Sequence, residues 1–144
     1  MSEFFATERI VEFHHTDAAR IMHFATYFLF MEEAEHAFLR HLGMSVMSRD
    51  GDSQLSWPRV AAQCDYRDSV RFEDVVTIEV RVARLGEKSV TYEHRLRHAD
   101  RPIAKGAITV VCCRYENHDD RPTSIAIPDA IRAKLQPYVM DTTD

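Results

Sequence analysis

The most regular feature of the chain is a run of apolar residues spaced three and four apart, from about Ala25 to Leu42. This spacing places the apolar side chains along one side of an α-helix. The residues of this stripe are Tyr27, Phe30, Met31, Ala34, Phe38 and Leu42. Thr26 is a suitable N-cap, and Gly43 is a suitable left-handed cap at the other end. The pattern therefore predicts one long amphipathic helix.

Elsewhere the chain alternates between apolar and polar residues, which is typical of strands with one buried face. The five segments of this kind are residues 4–14, 60–67, 76–82, 90–97 and 103–113. The last is apolar on both faces, which suits a central strand. Residues 44–56 are polar and contain Asp50-Gly51, so they predict a loop. We expect a short closing helix at Ile127–Tyr138, with Pro128 at its start.

The order of these elements is one strand, the long helix and then four strands. A sheet and a helix that each have one apolar face must bury those faces against each other, so the pattern predicts an α+β domain of two layers. At 144 residues, with no repeat or linker, the chain is expected to form one domain over residues 1–144. A single helix covers only part of five strands. We therefore expect a homodimer or homotetramer.

Composition narrows the range of partners. The net charge of −5 argues against nucleic-acid binding, which usually needs a basic surface. No stretch approaches the roughly 20 apolar residues that span a bilayer, and the N-terminus does not resemble a signal peptide. The three cysteines have no CxxC spacing, and adjacent Cys112 and Cys113 are poorly placed for pairing. These features predict a reduced, cytoplasmic setting.

Two segments resemble a known family. The stretch from His15 to Tyr27, HTDAARIMHFATY, is similar to the signature of hotdog thioesterases of the 4-hydroxybenzoyl-CoA type. The stretch from Cys64 to Val75, CDYRDSVRFEDV, resembles the strand-and-loop segment of the same family. The resemblance implies the hotdog fold, in which one long helix packs on a five-stranded antiparallel sheet. The chain departs from the family pattern at Arg20, where Gly is usual, and at Thr26 and Ser69.

The resemblance also implies chemistry for the loop before the helix. Thioester hydrolysis needs a nucleophile or a base for water, together with donors for the developing oxyanion. Asp17 matches the catalytic aspartate, which acts as nucleophile or general base. The backbone N–H groups of Phe24 and Ala25 would polarise the carbonyl, because a helix N-terminus leaves such donors free. The reaction requires no cofactor and no metal.

Further residues are candidates for substrate binding. His23 and Thr26 follow Asp17 closely and could line the site. Coenzyme A carries phosphates that favour arginine and lysine partners. Cationic residues at strand ends or in loops are therefore candidates, and they include Arg67, Arg71, Arg84 and Lys88.

Several alternatives stay open at this stage. Asp17 could be a simple turn residue, and a second thioesterase branch uses a helical glutamate, for which Glu32 and Glu33 are the candidates. His14, His15, Asp17 and His23 could form a metal cluster, although they lack the spacing of known motifs. The whole chain could instead be a hotdog enoyl-CoA hydratase. It could also be an acyl-ligand-binding protein without catalysis.

Overall fold

The computed structural model describes residues 2–117 and 121–141, which form nine strands and two α-helices. In chain order the elements are β1 Phe5–Ile10, α1 Thr26–His41, β2 Ser48–Asp50, β3 Ser53–Ser56, β4 Arg59–Tyr66, β5 Val75–Leu85, β6 Ser89–His98, β7 Arg101–Val111, β8 Cys113–Tyr115, β9 Thr123–Ser124 and α2 Asp129–Leu135. Short 3-10 turns occupy Phe13–His15 and Gln136–Tyr138. Among these residues, no helix is both long and apolar enough to cross a bilayer.

Five strands form the main sheet in the order β1-β5-β6-β7-β4, and each neighbouring pair is antiparallel. Alternation is clearest in β5, where Val76, Ile78, Val80 and Val82 are buried and the residues between them are not. Because successive side chains of a strand point to opposite faces, this pattern defines one inner face of the sheet. The five strands correspond to the five segments that alternation predicts.

Helix α1 lies on the inner face of the sheet and has 16 residues. Phe30, Met31, Ala34 and Phe38 of its apolar stripe are completely buried. The helix approaches β7 closely at Gly106, where an added Cβ would lie 2.3 Å from the Met31 Cε atom. A residue without a side chain at this position therefore allows Met31 to reach the sheet.

A second, smaller sheet corrects the prediction of a loop at residues 44–56. Strands β2 and β3 form a hairpin there, and the sheet runs in the order β2-β3-β8-β9. Strand β3 pairs with β8, with Leu55 opposite Arg114, and the Leu55 side chain is buried. The two strands of the hairpin are only three and four residues long and mostly polar. They gain their stability from pairing with a distant part of the chain, which leaves little local signal.

Strand β4 also differs from its prediction, because it is exposed on both faces rather than half-buried. It lies at the edge of the main sheet, pairs only with β7, and is not covered by α1 along most of its length. Val60 is 61% exposed. An edge strand that exposes apolar residues and is unpaired on its outer side is unusual for a protein that acts as a single chain.

A cluster of polar side chains is buried between α1 and the sheet. The carboxylate of Glu35 in α1 forms a hydrogen-bonded ion pair with Arg59, in which Arg59 Nη1 lies 3.0 Å from Glu35 Oε2. Burial raises the pKa of Glu35 to about 7, although the Arg59 guanidinium opposes the shift. Burial and the same guanidinium lower the pKa of His94 to about 3. Neither ring nitrogen of His94 has a hydrogen-bond partner in the described part of the chain.

These two shifts act on stability in opposite directions. The folded state holds the Glu35 proton up to about pH 7, whereas the unfolded chain loses it near 4.5, so Glu35 lowers stability as pH rises between these values. For His94 the unfolded chain binds the proton from 6.5 downward, so stability is lost as pH falls from 6.5 towards 3.

We therefore expect Glu35→Gln to remove the loss of stability that occurs as pH rises, and to leave the loss at low pH that His94 causes. The free energy of unfolding of the variant, relative to wild type, should rise by about 3 kcal/mol between pH 4.5 and 7. Urea unfolding at a series of pH values measures this difference. Glu33→Gln, at an exposed position of the same helix, is the matched control and should not reproduce this rise. An identical profile for Glu35→Gln and Glu33→Gln would contradict the expectation.

Candidate active site

The loop between β1 and α1 is held by a tight turn at Asp17. The Asp17 Oδ1 atom accepts the N–H of Ala19 at 2.8 Å, and the Asp17 carbonyl accepts the N–H of Arg20 at 2.9 Å. The Asp17 N–H donates to the carbonyl of Ile21 at 3.1 Å. These bonds fix the carboxylate through one oxygen and leave Oδ2 without a hydrogen bond from the described residues.

Arg20 occupies the left-handed region of backbone conformation, with φ at 67°. This region suits glycine and strains residues that have a Cβ. The structure thus gives a reason for the glycine that the family pattern has at this position. In this chain the turn keeps its path, and the long Arg20 side chain lies exposed on the surface.

Helix α1 begins without a side-chain cap. Ala25 is the N-cap residue, and Thr26, the expected cap, is the first helical residue. The prediction for Thr26 was wrong because its hydroxyl turns inward and donates to the carbonyl of His15 at 3.3 Å. The N–H of Phe24 has no acceptor among residues 2–117 and 121–141. A free donor at a helix N-terminus attracts negative charge.

The second expected donor is already engaged. The N–H of Ala25 donates to Nδ1 of His23 at 3.1 Å. The His23 ring in turn stacks on the ring of Phe24, with 4.6 Å between their centroids. His23 therefore supports the start of the helix, and of the two N–H groups only that of Phe24 is without an acceptor among the described residues.

Asp17 and Phe24 line one groove of about 290 Å³, together with Ile21, Met22, Tyr27, Tyr66, Asp68 and Ser69. The Tyr66 hydroxyl donates to the carbonyl of Phe24 at 2.8 Å, which ties the end of β4 to the start of the helix. The rings of Tyr27 and Tyr66 meet edge to face at 4.9 Å. The groove is thus lined by the carboxylate residue Asp17, by aromatic residues, and by Phe24, whose N–H has no acceptor among the described residues.

Sequence reasoning did not single out Tyr66 or Asp68. Asp68 pairs with Arg101 at 2.6 Å, and this neighbour together with the N–H of Ser69 lowers the pKa of the Asp68 carboxyl. Burial, with help from neighbouring acidic groups, raises the pKa of Tyr27 to about 12. The only sequence signal for these residues is their place in the second family-like segment, directly after a strand.

The other predicted residues are placed less closely around Asp17. Thr26 is buried beneath the loop, and exposed Arg67 lies in a separate groove on the outer face of the sheet. Arg71 is exposed in the turn before β5, where its N–H donates to Asp74. Lys88 lies beyond the far end of β5, about 30 Å along the strand from Val75. Within one chain, Lys88 is not brought near the groove.

The competing candidates do not enter the groove either. Glu33 pairs with Arg9 at 2.8 Å, and Glu32 lies 3.8 Å from Arg59. Both are exposed on α1. His15 is buried, accepts the N–H of Glu12 and packs against Phe30, so it faces the core. The described residues include no cluster of three side chains suited to hold a metal ion.

Comparison with known proteins places the chain in a family. Residues 11–135 match the thioesterase-like superfamily. A 1,4-dihydroxy-2-naphthoyl-CoA hydrolase of Synechococcus elongatus is 27% identical over 130 residues, which cover 90% of this chain and 93% of that protein. A putative esterase of Aquifex aeolicus is 31% identical over 101 residues, or 70% of this chain and 78% of that protein. The chain belongs to the thioesterase-like superfamily.

Solved structures agree with this assignment. The structure of the gentisyl-coenzyme A thioesterase BH1999 has a TM-score of 0.79 and 30% sequence identity, and the match covers 91% of this chain and 99% of that one. The hotdog thioesterase fold, with its antiparallel sheet and helix, is thus confirmed. The prediction of a thioester hydrolase is confirmed at the level of the family.

The left-handed conformation at position 20 predicts how substitutions there affect stability. Arg20→Ala keeps a Cβ and its strain, whereas Arg20→Gly removes both. We expect Arg20→Gly to unfold with a free energy about 1 kcal/mol higher than Arg20→Ala, because the strain relieved exceeds the entropy that glycine adds to the unfolded chain. Urea denaturation of the two variants measures the difference. A lower value for Arg20→Gly would show that the turn is not strained.

Proposed function

We propose that this chain is an acyl-CoA thioesterase that hydrolyses small or medium acyl- or aroyl-CoA thioesters, with Asp17 as the catalytic carboxylate. The observation that carries the proposal is that Asp17 and Phe24 line one groove near the start of α1, and that the Phe24 N–H has no acceptor in the part of the chain that the structure describes. A carboxylate and an oxyanion donor are the two groups that thioester hydrolysis requires. Residues 11–135 belong to a family with this chemistry.

The reaction follows from these two groups. The Phe24 N–H donates to the thioester oxygen and stabilises its developing negative charge. Asp17 then acts in one of two ways. It attacks the carbonyl carbon, expels the CoA thiolate and forms an anhydride that water hydrolyses, or it takes a proton from a water that attacks directly. Either route consumes one water and yields the free acid and CoA.

The walls of the groove favour an acyl group with an aromatic or apolar body. Tyr27 and Tyr66 present their rings, and the exposed ring of Phe24 lies beside them. Aromatic rings stack on one another with a gain beyond simple burial. Two of the relatives bear the names of aroyl-CoA hydrolases, which agrees with this reading. Arg67 and Arg71 are proposed to bind CoA phosphates, and Lys88 could do so only from another subunit.

Substitution of Asp17 tests the assignment. We expect Asp17→Asn to lower kcat on the best substrate of an acyl-CoA panel at least about 100-fold, because an amide neither attacks the carbonyl nor accepts a proton from water. Release of free thiol measures turnover. The amide can still accept the N–H of Ala19, so the turn and the thermal midpoint should change little.

Asp68→Asn is the matched control for this experiment. Asp68 lines the same groove but is held by Arg101. Its substitution should change kcat less than about tenfold. Full activity in Asp17→Asn would mean that Asp17 is misassigned. If acyl-CoA stabilises wild type against heat but wild type releases no thiol, the chain is a binding protein without catalysis.

The exposed edge of the sheet supports a second part of the proposal, that the chain forms at least a homodimer through β4. The strand leaves backbone groups on one side unpaired and exposes Val60, with Ala61 and Ala62 beside it. Antiparallel pairing of two β4 strands would satisfy the backbone and cover these side chains. It would also bring a second subunit next to Tyr66, which lines the groove.

A charge placed on this edge tests the proposed interface. Wild type is expected to sediment at twice the 16.7 kDa of one chain or more. Val60→Lys should shift it to a monomer, because a lysine on an edge strand opposes pairing. Ala83→Lys, at an exposed position of β5, should leave the assembly unchanged. A monomeric wild type at micromolar concentration would contradict the proposal.

A further inference from the structure

A cavity lies at the other end of α1. It has a volume of about 480 Å³ and is enclosed by the last turn of α1, the β2–β3 hairpin and α2. It shares no residue with the groove of Asp17. Leu39 lines the cavity and Tyr27 lines the groove, and their separation of twelve positions corresponds to about 18 Å along the helix. The cavity is therefore a separate space within one chain.

The walls of the cavity are mainly apolar. Its apolar lining includes Leu39, Leu55, Trp57, Ile131 and Leu135. Volumes of this order are typical of sites for small molecules.

Two cations lie at the rim. Arg49 lines the cavity, and its Nη2 donates to the carbonyl of Asp52 at 2.6 Å, its one side-chain hydrogen bond to a described residue. The Lys134 Nζ atom lies 3.8 Å from where a Cβ on Gly43 would be, and Gly43 is part of the cavity wall. A chain with a net charge of −5 thus presents positive charge at this opening.

The floor carries a polar group without a partner. Tyr92 lines the cavity and is 2% exposed, and no described residue forms a hydrogen bond with its hydroxyl. Burial raises the pKa of Tyr92, so the hydroxyl keeps its proton and can donate. The Tyr92 hydroxyl oxygen is not fully buried, so it is open to the cavity, where a ligand atom can accept its hydrogen bond.

We propose that this cavity is a second ligand site, distinct from the Asp17 groove, that binds an apolar carboxylic acid. The carboxylate meets Arg49 and Lys134 at the rim, and the aromatic or aliphatic body fills the space beside Trp57. A polar substituent deep on the ligand, such as a ring hydroxyl, accepts a hydrogen bond from Tyr92. Binding here does not depend on Asp17 or on the activity proposed for it.

Trp57 is the only tryptophan of the chain and lies in the cavity wall, so its fluorescence reports on this site. Titration with 2-naphthoate and with decanoate is expected to give a saturable change in emission. The neutral analogue 2-naphthalenemethanol should bind about tenfold more weakly than 2-naphthoate, because it lacks the charge-assisted hydrogen bonds. The titration should give the same result in Asp17→Asn.

Two variants and a control locate the response. Ala130 is an exposed residue of α2 that lines the cavity, and Ala130→Phe should fill the space and abolish the emission change. Arg49→Gln should weaken 2-naphthoate about tenfold and leave the neutral analogue unaffected. Arg84→Gln removes the same charge from an exposed position outside the cavity and should behave as wild type. Circular dichroism establishes that each variant is folded.

Three results would overturn the proposal. The first is the absence of a saturable change with either acid. The second is equal affinity of the acid and the neutral analogue in wild type, or an unchanged affinity for the acid in Arg49→Gln. The third is an emission change that depends on protein concentration rather than on ligand, which would assign the cavity to a contact between subunits. If Ala130→Phe does not fold, Arg49→Gln and its control decide the question alone.

Discussion

Packing of the apolar stripe of α1 against the inner face of the main sheet is the contact on which the rest of the structure depends. Each square ångström of apolar surface removed from water contributes about 25 cal/mol, so several large side chains buried together outweigh any single polar contact. Phe30, Met31 and Phe38 are completely buried in this layer. Their packing fixes the axis of the helix over the sheet. It thereby fixes where the two ends of the helix lie.

The position of the helix N-terminus determines the geometry of the candidate active site. Free N–H groups occur at the start of any helix, but here Tyr66 at the end of β4 holds the Phe24 carbonyl and anchors that start to the sheet. The preceding loop supplies Asp17 through a turn that accepts backbone strain at Arg20. Asp17, which supplies a carboxylate, and Phe24, which supplies an N–H donor, are thus brought to one groove.

The interior beneath α1 is not uniformly apolar. Glu35 and His94 are buried there beside Arg59. Burial disfavours a charged group, so it raises the pKa of Glu35 and lowers the pKa of His94. This polar cluster lies between the two ends of the helix, so the groove at one end and the apolar cavity at the other are separated by packed protein. The fold therefore offers two separate spaces along one helix, one with a carboxylate and one with a cationic rim.

Much of this architecture can be predicted from the sequence, because local periodicity is enough to reveal it. Spacing of three and four places a helix over residues 25–42, where α1 is Thr26–His41, and alternation locates the five strands of the main sheet. The family-like segment around Asp17 predicts the loop and the fold. Glu35 lies four residues after Met31 and three before Phe38, so the helical spacing alone places it on the buried side of the helix.

Only the tertiary structure decided the features that depend on distant partners. The short β2–β3 hairpin is stabilised by β8, some sixty residues away, and the exposure of β4 follows from its place at the sheet edge. The inward turn of Thr26, the entry of Tyr66 into the groove and the distance of Lys88 from Asp17 likewise arise from packing. Local sequence patterns record which face of an element is apolar. They do not record which other element that face will meet.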